Sequence, residues 1–405
     1  MRFNEPMTDL HELVTLRNGF DIDPGVRSRR DSGEVHRVRS PLGHEATLFS
    51  RYDDVRAVHS DAERLRLDAI GPSPGLAAEG VDDEEMKQRR AGRLLMLDPP
   101  EHTRLRRLLT ATFTVRRARA LGPRIQEIVD QHLDAMEAAG PPVDLVSAFA
   151  LPVPSLVICE LLGVPFADRA EFGARSNRFF DTTMSPQERL RLDAEADAYM
   201  HTLVARHREK PGDDLLSLLI REHGTGALSD EELVGLADLL LIAGHETTAN
   251  VISLGTLALL RHPDQLALVR DDPSAVEDAV EELLRFTSVL HAGFVRVAVE
   301  DTTIGGHLVR RGEHVVTSLP AANRDPALLD GGDDLDVTRG RCPHVAFGHG
   351  IHHCLGATLA RLELQLALPA LLRRFPGLCL ADPAARPVFK HRALIHGLRS
   401  LPIAW

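Results

Sequence analysis

One stretch governs what this chain can fold into. From the capping pattern Ser229-x-x-Glu232 to the break at His262-Pro263, the residues read as a single helix. About thirty residues at 1.5 Å each span roughly 45 Å, enough to cross a whole domain. Its middle, LLLIAGHETTAN, is apolar on nearly every side, so other elements must bury it all round. The run then turns polar at Gly244, Glu246, Thr247 and Thr248, groups that are costly inside without partners. Two readings stand side by side. Thr247 bonds back to the Ala243 carbonyl and merely bends the helix, or a local opening there lets a hydroxyl and a carboxylate relay protons. The zinc-protease pattern HExxH fails, because Ala249 stands where the second histidine belongs.

The rest of the chain is consistent with a helical body. Leu and Ala are abundant and only 4% of residues are aromatic, which favours helix over sheet. Between Pro99 and Arg285 successive helices are separated by breaks at 122, 141 and 211. Residues 34–50 predict two short strands around a Pro-Leu-Gly turn, followed by a helix starting near Asp53. The Gly/Pro-punctuated stretch 71–93 reads as a long loop of the kind that forms lids. After Phe286, FVRVAV alternates with period two and TTIGGHLV carries a Gly-Gly hairpin turn, a small β region. A last helix is expected from about Cys354 to Pro369, with a mostly irregular tail. No linker or repeat divides the 405 residues, so one large domain or two fused ones are both open.

Charge and cysteines narrow the function classes. A formal net charge of −12 argues against a general nucleic-acid binder. The opening MRFNEPMTDLHELVTL has neither a signal-type apolar core nor the length of a membrane span, which gives a cytoplasmic expectation. Asp82 to Glu85 form an acidic run, read as solvated surface. Seven arginines, Arg104, Arg106, Arg107, Arg116, Arg117, Arg119 and Arg124, lie in a segment free of acids. Cys159, Cys342, Cys354 and Cys379 have no CxxC spacing, so disulfide, zinc-ribbon and c-type haem attachments lose their usual support.

Cys354 is the exception. In FGHGIHHCLGATLARLE, residues 347–363, a glycine-rich loop delivers it to the start of an amphipathic helix. Unpaired N–H groups and the positive helix end favour thiolate there, and Gly356 lets a flat ligand approach the backbone. A zinc site is the competing reading, since His349, His352 and His353 crowd the loop, but adjacent histidines can hardly share one tetrahedral ion with Cys354. A buried inert cysteine leaves the glycine-histidine loop unexplained.

With Phe347, Gly350, Cys354, Gly356 and Ala360 in register, this segment resembles the FxxGxxxCxG signature of the cytochrome P450 family. The resemblance runs from SRYDDVRAV to the terminal LRSLPIAW. It implies a mainly α, triangular domain with a small β region, residues 1–405, enclosing a non-covalent b-type haem with Cys354 as iron ligand; thiolate ligation favouring O–O cleavage is the standard illustration for this family. The centre of the long helix resembles the family's AGxxTT pattern, which makes Glu246 and Thr247 its acid-alcohol pair. Glu282 and Arg285 resemble ExxR, with Arg339 completing a buried charge network. DPPEHTRLRR is similar to the family's segment whose His102 and Arg106, four apart on one helix face, hold the haem propionates; Arg296 and His352 match further propionate positions. Glu in the acid position and Leu335 in the meander depart from the commoner pattern.

The implied function is a monooxygenase acting with O2 on a bulky apolar small molecule, in natural-product hydroxylation or epoxidation. The implied donors are a ferredoxin and its reductase, docking on a face that collects Arg104, Arg107, Arg116, Arg341 and Arg361. A monomer, without nucleic-acid or membrane partner, is expected. The alternative is a non-catalytic haem-thiolate sensor or recruitment protein, which would not need Glu246 and Thr247.

Overall fold

The computed structural model describes residues 11–12, 17–40, 43–112, 114–169 and 178–405. The long helix forms over Asp230–Leu260. Both halves of its capping box close: Ser229 Oγ accepts the Glu232 N–H at 3.2 Å, and the Glu232 carboxylate accepts the Ser229 N–H at 2.9 Å. Helices Pro152–Leu161, Pro186–Glu209, Val276–Thr287 and Ala357–Arg374 pack around it. Its first half shares a core with Leu105, Leu109, Met200 and Leu216, and its second half one with Ile128, Leu283 and Leu364. Burying leucines such as Leu241, Leu254 and Leu257 contributes about 1.5–3 kcal/mol each. Gly244 belongs to this packing as well. A Cβ there would lie 3.0 Å from Ile158, so glycine sets the approach to Pro152–Leu161.

A six-stranded sheet forms the β region. Strands His36–Arg39 and Glu45–Phe49 pair antiparallel, His314–Thr317 adds in parallel, and Arg296–Ala298 adds antiparallel. The glycine hairpin joins Thr302–Ile304 to His307–Val309, with φ of 55° and 83° at Gly305 and Gly306, the left-handed pair that a tight two-residue turn requires. Pro41 and Leu42 of the expected turn, and most of the N-terminal stretch, lie outside the described residues.

Three expectations need correction. Segment 71–93 is not an open loop: it holds short helices Pro74–Ala78 and Asp83–Arg89. They are too short to show a helical period, so their glycines and prolines dominated the reading. The acidic run caps the second of them, with Asp82 accepting the Glu85 N–H at 2.9 Å, and its members Asp82 to Glu84 are solvent-exposed. The last helix starts at Ala357, three residues after Cys354, and continues through Pro369 to Arg374. A proline forfeits one backbone bond, and the apolar face, Ala367 to Leu372, holds the helix together across it. The tail also carries strands Cys379–Leu380, Val388–Phe389, Leu398–Ser400 and Pro402–Ala404.

Candidate active site

The cysteine loop is built on two glycines. Gly348 and Gly350 have φ of 72° and 69°, and a Cβ on Gly350 would lie 2.4 Å from the His59 carbonyl oxygen, so helix Tyr52–Ser60 presses on the loop where only glycine fits. The turn closes as Cys354 N–H donates to the Phe347 carbonyl at 2.9 Å. Burial pushes the Cys354 thiol up; the N–H groups of Gly356 and Ala357 and the charges of Arg106 and Arg361 pull it down without prevailing. The helix start therefore contributes in the expected direction but does not ionise the sulfur alone. A bound cation would do so, since a coordinating thiol is deprotonated. Among the described residues no three His, Cys, Asp or Glu side chains converge as a metal-binding group. Gly356 has ordinary φ and open space where its Cβ would be. The backbone does not need glycine there, and the missing side chain would leave room for a flat ligand over the loop.

Behind the loop the charge network is in place. Arg285 donates to both Glu282 oxygens at 2.7 Å, with both side chains fully buried, and its remaining N–H groups reach the carbonyls of Asn323, Gly332 and Asp334. Arg339 stands 3.6 Å from Glu282 and donates to the carbonyls of Asp330 and Gly331. A buried pair so completely bonded is a fold-specifying feature, and losing one partner strands the other charge. A second pair joins the same helix to the cysteine helix. Glu281 accepts from Arg361 and lies 3.1 Å from His344, while Arg361 sits 4.6 Å over the Phe347 ring.

His102 and Arg106 from one helix, Arg296 from a strand and His352 from the turn before Cys354 converge. The His102 and His352 rings are 4.2 Å apart, and none of their nitrogens has a hydrogen-bond partner. Asp98 anchors the group. One oxygen accepts the N–H groups of Leu67 and Asp68, and the other lies 3.8 Å from His352, beyond hydrogen-bond distance. Burial raises its carboxyl, but His352, those two N–H groups and Arg296 together hold it below the ordinary range. Burial, with His352 and Arg106, lowers His102 to about 4, so its ring is neutral. Arg296 donates to the Leu65 carbonyl and Arg106 to that of His353. The buried guanidinium of Arg296, the half-buried one of Arg106 and unpartnered imidazole nitrogens, next to the cysteine loop, fit a group that carries carboxylates. An open depression of about 530 Å³, lined by His102, Arg106, Arg107 and Ile351 among others, adjoins them.

On the long helix, burial falls away along one face, at Leu239, Ala243, Gly244 and Thr247. Thr247 Oγ1 donates to the Ala243 carbonyl at 2.7 Å, the back-bond expected of a helix-bending threonine. This bond does not decide between the two readings, because a hydroxyl that donates to a carbonyl still accepts. Glu246 is buried, paired with Lys390, and accepts from the Asn250 amide at 3.2 Å. Sequence reasoning missed Lys390. It lies 144 residues away and no local motif marks it.

The family resemblance implies a substrate pocket walled by 71–93, the region around 170–190, Leu240 to Ala243, Val289 to Phe294 and the tail near Leu394, and parts of this wall meet. Leu394 N–H donates to the Phe180 carbonyl, His396 N–H to that of Val289, and Leu290 bridges Ile395. Residues 170–177 of that wall lie outside the described residues. The basic face is less positive than its arginine count. Arg104 is paired with Glu101 and Glu232, Arg341 with Glu277, and Arg361 with Glu281, while Arg107 and Arg116 are exposed.

Comparison with known proteins agrees with this geometry. The family model described as cytochrome P450 matches residues 79–391. Pentalenic acid synthase of Streptomyces avermitilis is 48% identical over 95% of both chains. Mycinamicin IV hydroxylase/epoxidase of Micromonospora griseorubida is 42% identical over 99% of this chain and 98% of its own. A crystal structure of CYP105P1 in complex with filipin I superposes with a TM-score of 0.89 at 41% identity, covering 98% of this chain and 99% of the other.

Proposed function

The chain belongs to the cytochrome P450 family and is a haem monooxygenase, and from that premise we propose that Cys354 is its iron ligand, with Glu246 and Thr247 as its proton path. His102, Arg106, Arg296 and His352 hold the haem carboxylates. The observation that carries this reading is the set of unpartnered nitrogens on His102 and His352 beside the cysteine loop. When bound, the haem supplies the oxygen chemistry, in which R–H, O2, two electrons and two protons give R–OH and H2O. Everything else is the work of side chains. Glu282, Arg285 and Arg339 keep the loop rigid, and the exposed face of the long helix would leave room for O2 and substrate. Glu246 and Thr247 hold and pass the protons that the reaction consumes. The non-catalytic sensor or recruitment reading falls away with the family and its synthase and hydroxylase relatives.

The substrate we propose is a bulky, largely apolar natural product, hydroxylated or epoxidised. The relatives' activities support this choice, as do the small and aliphatic residues of the segments expected to wall the pocket, among them Ala243, Val289 and Leu394. The whole chain, 1–405, works as one domain and as a cytoplasmic monomer, with electrons from a ferredoxin and its reductase. Among the described residues no helix is long and apolar enough to cross a membrane, which suits a diffusing donor. A compound library screened for shifts of the haem absorption band, followed by product analysis with a reconstituted ferredoxin system, tests the assignment. Product carrying one atom from labelled O2 is expected, and turnover without oxygen incorporation overturns it.

A further inference from the structure

The tail of the chain reaches the buried acid of the long helix. Strand Val388–Phe389 pairs with Leu398–Ser400, and Lys390 N–H donates to the Gly397 carbonyl at 2.8 Å. Gly397 is where tail and helix meet, since a Cβ there would lie 1.7 Å from Asn250 Oδ1 and would displace the Asn250 amide. This approach sets Lys390 Nζ on Glu246 Oε1, with 20% of the lysine side chain exposed against 3% of the glutamate. The two oxygens of the acid are thereby made unequal. Oε1 takes the ammonium and the Asn250 amide, whereas Oε2 is buried with no partner.

We propose that Lys390 is a positioning residue for the reaction: it keeps Glu246 ionised and fixed, so that Oε2 is the atom that takes a proton and hands it on toward Thr247. The inference rests on the reading of Glu246 and Thr247 as the proton path. Its physical basis is the cost of burying a carboxylate. An isolated one in a dry interior neutralises itself, and a single amide does not repay the lost hydration. The neighbouring His245 is itself held neutral by burial. Lys390 is the cation within 4 Å of Glu246 among the described residues. A neutral acid would offer a hydroxyl already carrying its proton, and the take-up half of a relay would be lost.

The test uses haem-loaded protein. In Lys390→Met, the infrared spectrum at neutral pH should gain a protonated-carboxyl band that disappears when Glu246→Gln is added. With the compound giving the largest absorption-band shift as probe, product formed per NADPH should fall roughly tenfold, a fraction of the hundredfold or more that a positioned proton-transfer group supplies. The probe's binding constant should stay unchanged, and Lys390→Arg should restore both the ionised acid and the coupling. A purely structural tie between tail and helix moves neither the carboxyl band nor the coupling while the haem stays bound. Should Lys390→Met lose haem, Lys390→Gln, a donor without charge, carries the same measurements. No new carboxyl band and unchanged coupling, in variants whose Glu246→Gln and Thr247→Ala counterparts do uncouple, overturn the role of Lys390 and leave the proton path standing. If those two variants also stay coupled, the proton path itself is wrong.

Discussion

The rings of His102 and His352 stand 4.2 Å apart, tilted by 53°, and no nitrogen of either has a hydrogen-bond partner. One comes from the helix Glu101–Thr112 and the other from the turn just before Cys354, so the long-range fold creates the pair. Two buried donors left unsatisfied cost stability in the empty chain. A ligand carboxylate bonding to them offsets that cost, which ties haem affinity to an instability of the haem-free protein.

This gives opposite signs in two measurements. His102→Leu should weaken haem retention by about 1.5–3 kcal/mol, the value of a hydrogen bond to a charged group, read as faster haem transfer to apomyoglobin. The haem-free chain should unfold at the same or a higher denaturant concentration, because an orphaned polar ring has been removed. Loss of both stabilities together would place His102 in the core and not on the ligand.

Cys354→Ser should abolish the red-shifted absorption band of the reduced, carbon monoxide-bound protein. Since Cys354 N–H closes the loop through its backbone to Phe347, the substitution leaves that turn intact, and circular dichroism should be unchanged. An unaltered band in a folded variant would transfer the ligand role to Cys159, Cys342 or Cys379.

Thr247→Ala should keep haem and fold yet divert reducing equivalents from product to hydrogen peroxide, measured as product formed per NADPH consumed. The lost back-bond to Ala243 is a small local change in a helix held by packing along its whole length. Thr247→Ser, which keeps the hydroxyl, should remain mostly coupled. If alanine and serine variants both behave as the parent does, the threonine only bends the helix.

What was legible from sequence was whatever leaves a local trace. The capping box at Ser229 and Glu232, the glycine loop before Cys354 and the i, i+3 pair Glu282 and Arg285 each show their chemistry within a few residues, and each forms as expected. The helices within 71–93 were hidden because one or two turns carry no period. Lys390 was hidden for a different reason. Its role comes from Gly397 meeting Asn250, a contact between the tail and the middle of the chain that no spacing encodes. Gly244 shows the same limit, since the sequence places it only at the start of the helix's polar centre while the structure shows Ile158 against it.

Acid stability should carry the signature of Glu281. Burial raises its carboxyl, but Arg361 and His344 outweigh burial and hold it at about 2, against an ordinary value of 4.5. A folded-state value below the unfolded one means that its stabilisation is complete above about 4.5 and is lost as pH falls toward 2. Glu281→Gln should therefore flatten the stability-versus-pH curve in that window, and the parent and variant should converge near its acidic end. Equal slopes for both in denaturant titrations would show that the pair contributes nothing to folding.

Electron delivery should depend on which arginines are already engaged. Arg104, Arg341 and Arg361 are each held by a carboxylate of the chain itself, at 2.9 Å for Arg104 and Glu101 and 3.1 Å for Arg341 and Glu277. Their fields are largely cancelled at the distance of an approaching partner. Arg107 and Arg116 are exposed, and Arg107 borders the depression beside His102 and Arg106. Opposite fields raise encounter rates by roughly ten to a thousandfold and lose that gain as salt screens them. First-electron transfer from an acidic ferredoxin should thus slow steeply with ionic strength. Arg107→Glu and Arg116→Glu should slow it further at low salt, without changing the substrate-induced band shift. Exchanging the paired charges, Arg341→Glu with Glu277→Arg, keeps that pair neutral and should leave the parent rate unchanged. A rate that ignores salt while docking is limiting, or one that falls as far for the exchanged Arg341 and Glu277 pair as for Arg107→Glu and Arg116→Glu, would remove the basic docking face from the account.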